Sequence, residues 1–161
     1  MGTKGIEIAG GKDAKKNIVL LNKALADEWL AYYQYWIGAK VAKGKMRPAI
    51  VAELEEHAQD ELKHAGMLVG RIIALGGTPI LNPKDFEAQS NCGYDAPNEF
   101  DTIAIVKQNI KGEQCAIDVY NKLLFATKDK DVITYQMVFE ILKDEVEHED
   151  DLQTILEDLG A

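Results

Sequence analysis

Four segments of roughly 28 residues or slightly more repeat apolar side chains at spacings of three and four, and each breaks that stripe near its middle with a glutamate. A stripe of that period is a helix face turned toward a core, and a carboxylate set into it must be explained. The first segment runs from Asp13 to Gly44 and aligns Ile18, Leu21, Leu25, Tyr32, Tyr35, Ala39 and Ala42. The second opens at Pro48, whose fixed φ suits a first helical turn, and runs through Leu54, Leu68, Ile72 and Leu75 to Gly76-Gly77. The third spans Glu99 to Thr127 with Ile103, Val106, Ile110, Ile117, Tyr120 and Leu124. The fourth spans Asp131 to Asp158 with Val138, Ile141, Leu152, Ile155 and Leu159, and Gly160 supplies its stop. Helices of this length are roughly 42 Å long at 1.5 Å per residue. Strand patterning is absent.

Between the second and third segments, Thr78 to Asn98 holds Pro79, Pro83, Pro97 and Gly93, a composition that punctuates helix. Asn82-Pro83 is expected to cap a short helical piece reaching about Gln89. A connection of about 20 residues can travel the length of a bundle, so the chain is predicted to be all-α. Residues 13–161 form two helical hairpins joined by a long crossover between helices 2 and 3, an up-down-down-up four-helix bundle. Residues Met1 to Lys12, with four glycines and no helical period, are predicted to be a flexible tail.

With 161 residues, 47% of them hydrophobic, the chain suffices for one domain with a sizeable core. Its 18 Lys and Arg against 27 Asp and Glu leave a net charge of −9, which repels a phosphate backbone. DNA binding is therefore disfavoured despite Lys4, Lys12, Lys15 and Lys16 near the start. No apolar run reaches the roughly 18 residues of a membrane span, and MGTKGIEIAGG lacks the apolar core of a signal peptide, so a cytoplasmic protein is expected. Two cysteines, Cys92 and Cys115, cannot build a disulfide scaffold or a four-thiolate metal site, although one redox pair stays open to them.

The stripe is interrupted by Glu28 in the first helix, Glu61 and His64 in the second, Glu113 in the third, and Glu145 and His148 in the fourth. Burying one unpartnered carboxylate costs several kcal/mol, and four would meet at one height of one core. Two divalent cations would cancel the four charges while the imidazoles stay neutral. A Glu and a His three positions later lie on one helix face and can approach one ion. Glu28 to Glu61 is 33 residues and Glu113 to Glu145 is 32, so both hairpins repeat one layout, a lone Glu and then Glu-x-x-His. Carboxylate and imidazole suit iron or manganese.

This ligand pattern resembles the ferritin-like superfamily over about 148 residues, and its six positions are similar to those of the bacterioferritin type. Leu75-Gly76-Gly77-Thr78-Pro79 and an end at Ala161, ahead of any fifth helix, resemble instead the Dps-like mini-ferritins of thioferritin type. The resemblance implies that Glu61 and Glu145 bridge two iron ions, manganese being possible. It makes Glu28, His64, Glu113 and His148 terminal ligands and Tyr35 and Tyr120 supporting tyrosines. It also implies a cysteine pair, Cys92 and Cys115, beside the site. Haem is not expected, because the haem-ligating Met of bacterioferritins falls at Leu62. The implied function is a ferroxidase that oxidises ferrous iron with hydrogen peroxide and stores the product in a 12-subunit homo-oligomeric shell, protecting against oxidative stress. Two alternatives stay open: a non-storing di-iron or di-manganese peroxidase or catalase, and a nucleoid-binding Dps protein.

Two features fit more than one role. His57 shares a face with Glu61 and His64 and is either a core histidine bonded to a neighbour or a transient iron site. Trp29, Tyr33 and Trp36 form a second stripe, suited to a subunit interface or to cover by the crossover.

Overall fold

The computed structural model describes residues 3–8 and 12–161. Four long helices dominate: α2 (Lys12–Val41), α3 (Arg47–Ala74), α5 (Thr102–Thr127) and α6 (Val132–Asp158). A short helix α1 covers Thr3–Ile8, and a 3₁₀ turn at Pro83–Asp85 leads into α4 (Phe86–Gln89) within the crossover. Helices α2 and α3 pair as one hairpin, α5 and α6 as the other, with the crossover laid against α2. No helix among the described residues is long and apolar enough to cross a membrane.

Local chemistry sets the ends. α5 starts at Thr102 rather than Glu99 because residues just before it run beside the end of α2. There Lys43 N–H donates to the Phe100 carbonyl at 2.7 Å and Thr102 N–H to the Lys43 carbonyl at 2.9 Å. The Asp101 carboxylate then caps the helix, accepting from Ile103 N–H. α2 ends at Val41, short of Gly44, whose φ of 119° only glycine adopts easily; a Cβ there would stand 2.8 Å from the Asp101 carboxylate. Within the segment expected to be a flexible tail, Thr3–Ile8 forms a short helix, with a Lys4–Glu7 pair at 2.8 Å one turn apart. The rest of that tail, residues 1, 2 and 9–11, lies outside the described residues.

The crossover is fastened to α2 by polar side chains. Asn22 accepts from Ile80 N–H at 2.9 Å. The buried Asp27 carboxylate accepts from the backbone N–H groups of Asn91 (2.8 Å) and Cys92 (2.9 Å) and from the Asn91 side-chain amide (2.6 Å). Phe86 stacks on Trp29, ring centroids 6.0 Å apart. The aromatic stripe therefore divides: the crossover covers Trp29, while Tyr33 and Trp36 keep 47% and 39% of their surface exposed.

The third helix turns a slightly different face inward than its large apolar residues suggest. Ile105 and Leu123 are buried, whereas Ile103, Ile117 and Leu124 are only half-buried. Asn109 accounts for the difference: it is buried between Ile105 and Glu113, donating to the Ile105 carbonyl at 2.9 Å and accepting from Gln34 at 3.2 Å. A satisfied amide serves as a core residue.

Two apolar clusters result. One gathers Leu21, Leu25, Leu68, Ile72, Leu123 and Ile141; the other Tyr35, Ile50, Leu54, Ile105, Val106 and Leu152. On every long helix the glutamate of the stripe lies between them.

Candidate metal centre

All six predicted ligands converge in that gap, none more than 4% exposed. They form two overlapping sets, Glu28, Glu61, His64 and Glu145 on one side and Glu61, Glu113, Glu145 and His148 on the other, with the candidate ligand atoms of each set within 4.8 Å of one another. Glu61 and Glu145 belong to both. His64 Nδ1 is 3.1 Å from Glu145 Oε1, 3.4 Å from Glu28 Oε2 and 3.8 Å from Glu61 Oε2. His148 Nδ1 is 3.6 Å from Glu61 Oε1 and 3.9 Å from Glu113 Oε1.

One atom from each of these residues is buried without a hydrogen-bond partner: Glu28 Oε2, Glu61 Oε1, His64 Nδ1, Glu113 Oε2, Glu145 Oε1 and His148 Nδ1. Buried polar atoms are normally satisfied, and six orphans facing one point are the signature of a cation-binding set. The atoms on the far side are occupied. Tyr35 O–H donates to Glu113 Oε1 and Tyr120 O–H to Glu28 Oε1, so each tyrosine holds the glutamate of the opposite hairpin and leaves its second oxygen free. His64 Nε2 faces Asp144 Oδ2 at 3.2 Å, and His148 Nε2 faces Asp60 Oδ2 at 3.7 Å. A carboxylate on the outer nitrogen fixes the ring orientation and makes the inner nitrogen a better donor to a metal.

The charge is strained accordingly. Burial and then repulsion from Glu28 push the Glu61 carboxyl well above the carboxylate range; burial and then Glu145 do the same to Glu113. Burial, followed by Glu61 and Glu28, raises Glu145 to about 8. Burial by itself pushes the His64 imidazole down, but its contacts with Glu145, Glu28 and Glu61 outweigh this and raise it. Tyr35 and Tyr120 are raised well above 10 by burial and the surrounding glutamates, so they stay protonated as donors.

His57 is buried and bonded to a neighbour, with Nδ1 3.4 Å from the Tyr35 oxygen and its ring stacked on His148 at 4.1 Å. Cys92 and Cys115 are joined as a disulfide with Cα atoms 5.9 Å apart. A cavity of about 40 Å³, partly open to solvent, is lined by Cys92 and Gly93 together with Glu28, Glu61, Glu113 and Glu145.

Asp60, Asp144 and Asp27 were not expected from the sequence. The first two had a signal, because an aspartate immediately precedes the glutamate of both motifs, giving Asp-Glu-x-x-His twice. Asp27 had none beyond its place beside Glu28.

Comparison with known proteins matches residues 18–161 to a family model described as a ferritin-like domain. The chain is 36% identical over 141 residues to a DNA protection during starvation protein of Pyrococcus furiosus, covering 86% of this chain and 76% of that protein. It is 27% identical over 157 residues to a bacterioferritin of Desulfovibrio desulfuricans, covering 96% and 80%. Among solved structures it superposes with a TM-score of 0.96 and 44% identity on a dodecameric thioferritin, the bacterioferritin-related protein of Bacteroides fragilis, covering 99% of this chain and 95% of that one.

Proposed function

The chain belongs to the ferritin-like family, among its Dps-like and bacterioferritin-related members, and from that premise we propose that it is a ferroxidase mini-ferritin that oxidises ferrous iron with hydrogen peroxide and stores the ferric product. The observation that carries this reading is the set of six orphaned ligand atoms in the middle of an otherwise apolar core. Glu28 and His64 would hold one iron ion and Glu113 and His148 the other, with Glu61 and Glu145 available to both. Two ferrous ions so held would supply the two electrons that, with two protons from solvent, take one peroxide to two waters without releasing hydroxyl radical.

The protein's own groups prepare that step. Tyr35 and Tyr120 aim the free oxygens of Glu113 and Glu28 inward. Asp144, 3.2 Å from His64 Nε2, favours the tautomer that presents Nδ1, and Asp60 faces His148 Nε2 on the same outer side at 3.7 Å. The two apolar clusters close the centre above and below. The cavity beside Cys92 gives a small oxidant a way in.

The disulfide is read as the oxidised form of a redox pair. Two thiols give two electrons and two protons to one peroxide, forming the sulfur–sulfur bond and two waters. In a reducing compartment, such as the cytoplasm we propose for this protein, a disulfide is ordinarily transient or catalytic. A 12-subunit homo-oligomeric shell is proposed from the dodecameric thioferritin at 44% identity.

Size-exclusion chromatography with metal analysis, after ferrous loading under peroxide and separately under air, tests the whole reading. Iron far beyond the centre's capacity, co-eluting with an oligomer and loaded faster under peroxide, is the expected result. Iron that never exceeds the centre's capacity overturns storage and leaves a peroxidase or catalase.

A further inference from the structure

We propose that a surface recess beside the Cys92–Cys115 disulfide, turned away from the metal centre, binds a small carboxylate-bearing thiol that reduces the bond by attacking Cys115. This rests on reading the cysteines as a redox pair, and it adds what returns the pair to its thiol form. The two cysteines line different spaces. Cys92 belongs to the cavity that it shares with Glu28, Glu61, Glu113 and Glu145. Cys115 belongs to a recess of about 640 Å³ formed by α2, α5 and the crossover residues Ser90 and Asn91. The disulfide that joins them therefore stands between the centre and the outside.

That recess is cationic in a chain whose net charge is −9. Its charged residues are Lys16 and Lys23 of α2 and Lys122 of α5, against Asp118 alone. All three lysines are exposed, and none stands in an ion pair among the described residues. Three like charges gathered at one recess repel one another, and a ligand with carboxylates relieves that repulsion, while the acidic remainder of the chain steers it nowhere else. Apolar side chains of α2 and α5 complete the lining and suit the ligand's carbon skeleton. A concavity of this volume takes a small molecule. Cys115 is half-buried in its wall, which favours a slim thiol over the broad face of a protein.

The attack gives each sulfur a role. A ligand thiolate adds to Cys115 Sγ, the bond to Cys92 breaks, and Cys92 leaves as a thiolate on the side of the inner cavity. A second ligand thiol then attacks the ligand sulfur of the mixed disulfide, freeing Cys115 and departing as the ligand's own disulfide. Two ligand thiols thus give two electrons and two protons, and the two cysteines take them. Cys92 is left lining the cavity by which a small oxidant enters, and Cys115 stands behind it to reclose the pair. Asp27 keeps this arrangement while the bond is open, because its carboxylate holds the backbone N–H groups of Asn91 and Cys92 to α2 without help from sulfur.

The test follows disulfide opening in the assembled protein, without oxygen or added iron, by trapping freed thiols with an alkylating reagent and locating them by mass spectrometry. With mercaptosuccinate the rate is expected to level off as concentration rises, because a site fills. With uncharged 2-mercaptoethanol it should rise in proportion. The Lys16→Gln, Lys23→Gln, Lys122→Gln variant should slow mercaptosuccinate about tenfold and leave 2-mercaptoethanol unchanged. Early samples should carry the ligand on Cys115 and the alkyl group on Cys92. A mercaptosuccinate rate that stays proportional to concentration and ignores the lysines overturns the site while the redox pair stands. Reduction by thioredoxin, with mercaptosuccinate inert, gives the surface to a protein and overturns the small ligand. If no thiol opens the bond in the folded protein, the redox-pair reading itself falls and takes the site with it.

Discussion

Glu61 and Glu145 are the residues on which both ligand sets depend, and His148 belongs to one. Glu61→Ala and His148→Ala should each abolish rapid ferrous oxidation, read by stopped-flow absorbance, while circular dichroism still reports a folded bundle. The chelated Glu61→Ala protein should be no less stable than the parent, because the change removes one of four buried carboxyl groups that disfavour one another's ionisation. Affinity should also depend on pH. Glu145, raised to about 8, holds a proton near neutrality that a cation must displace, and the upward shifts of Glu61 and Glu113 act in the same direction. Binding therefore releases protons and tightens as pH rises from 6 toward 8. Calorimetry in buffers of different ionisation heat reads the released protons directly, and affinity independent of pH in that window would count against the assignment. At this scale the six ligands were legible because charge on an apolar stripe has no cheap explanation. Asp60 and Asp144 were less so, since an aspartate facing out from a helix reads as solvated surface until the opposite histidine is placed.

Three helices meet at the start of α6. Asp131 caps it by accepting from Thr134 N–H at 3.1 Å, receives the Arg71 guanidinium of α3 at 2.7 Å, and accepts from Asn17 of α2 at 3.4 Å. Arg71→Leu leaves that buried carboxylate without its cation and should cost about 3–5 kcal/mol in urea denaturation. Burial tends to raise the Asp131 pKa, but the bonds from Thr134 and Arg71 outweigh it and hold it below 3.8. Its contribution is thus present above the unfolded value and lost as pH falls through the lower folded one, and the Arg71→Leu protein should lack this part of the acid sensitivity. Element positions were largely legible: periodicity and the Pro and Gly stops located the four long helices. The inward face of α5 was not, because a pattern of large apolar residues gives no weight to an asparagine that satisfies itself on its own helix and on Gln34. The short α1 was hidden by the glycines around it.

As a single chain the molecule leaves Phe125, Val132, Ile133, Phe139 and Val146 exposed, beside Tyr33 and Trp36. Scattered apolar side chains are ordinary on a surface; this many large ones on a bundle suit burial between copies. Multi-angle light scattering should give a closed oligomer of one mass, unchanged by moderate salt because the contacts are apolar. A stable monomer at working concentration would remove the shell. The bundle was legible from sequence at this scale, whereas the residues themselves showed the oligomer only as an unpartnered stripe and its 12 subunits came from the family resemblance.

The division of the core into two apolar clusters has a consequence for how the protein breathes. An ordinary bundle is most protected from amide exchange near the middle of its helices and frays at the ends. Here the middle is a layer of carboxyl groups that disfavour one another's charge, tied across the hairpins by the Tyr35–Glu113 and Tyr120–Glu28 bonds but with six polar atoms left unpaired until a cation binds. Chelation should invert the usual profile, so that deuterium enters fastest around Glu28, Glu61, Glu113 and Glu145 while the flanking turns stay protected. Restoring the metal should close that waist, and exchange measured by mass spectrometry would show it as a seam across all four helices at one height.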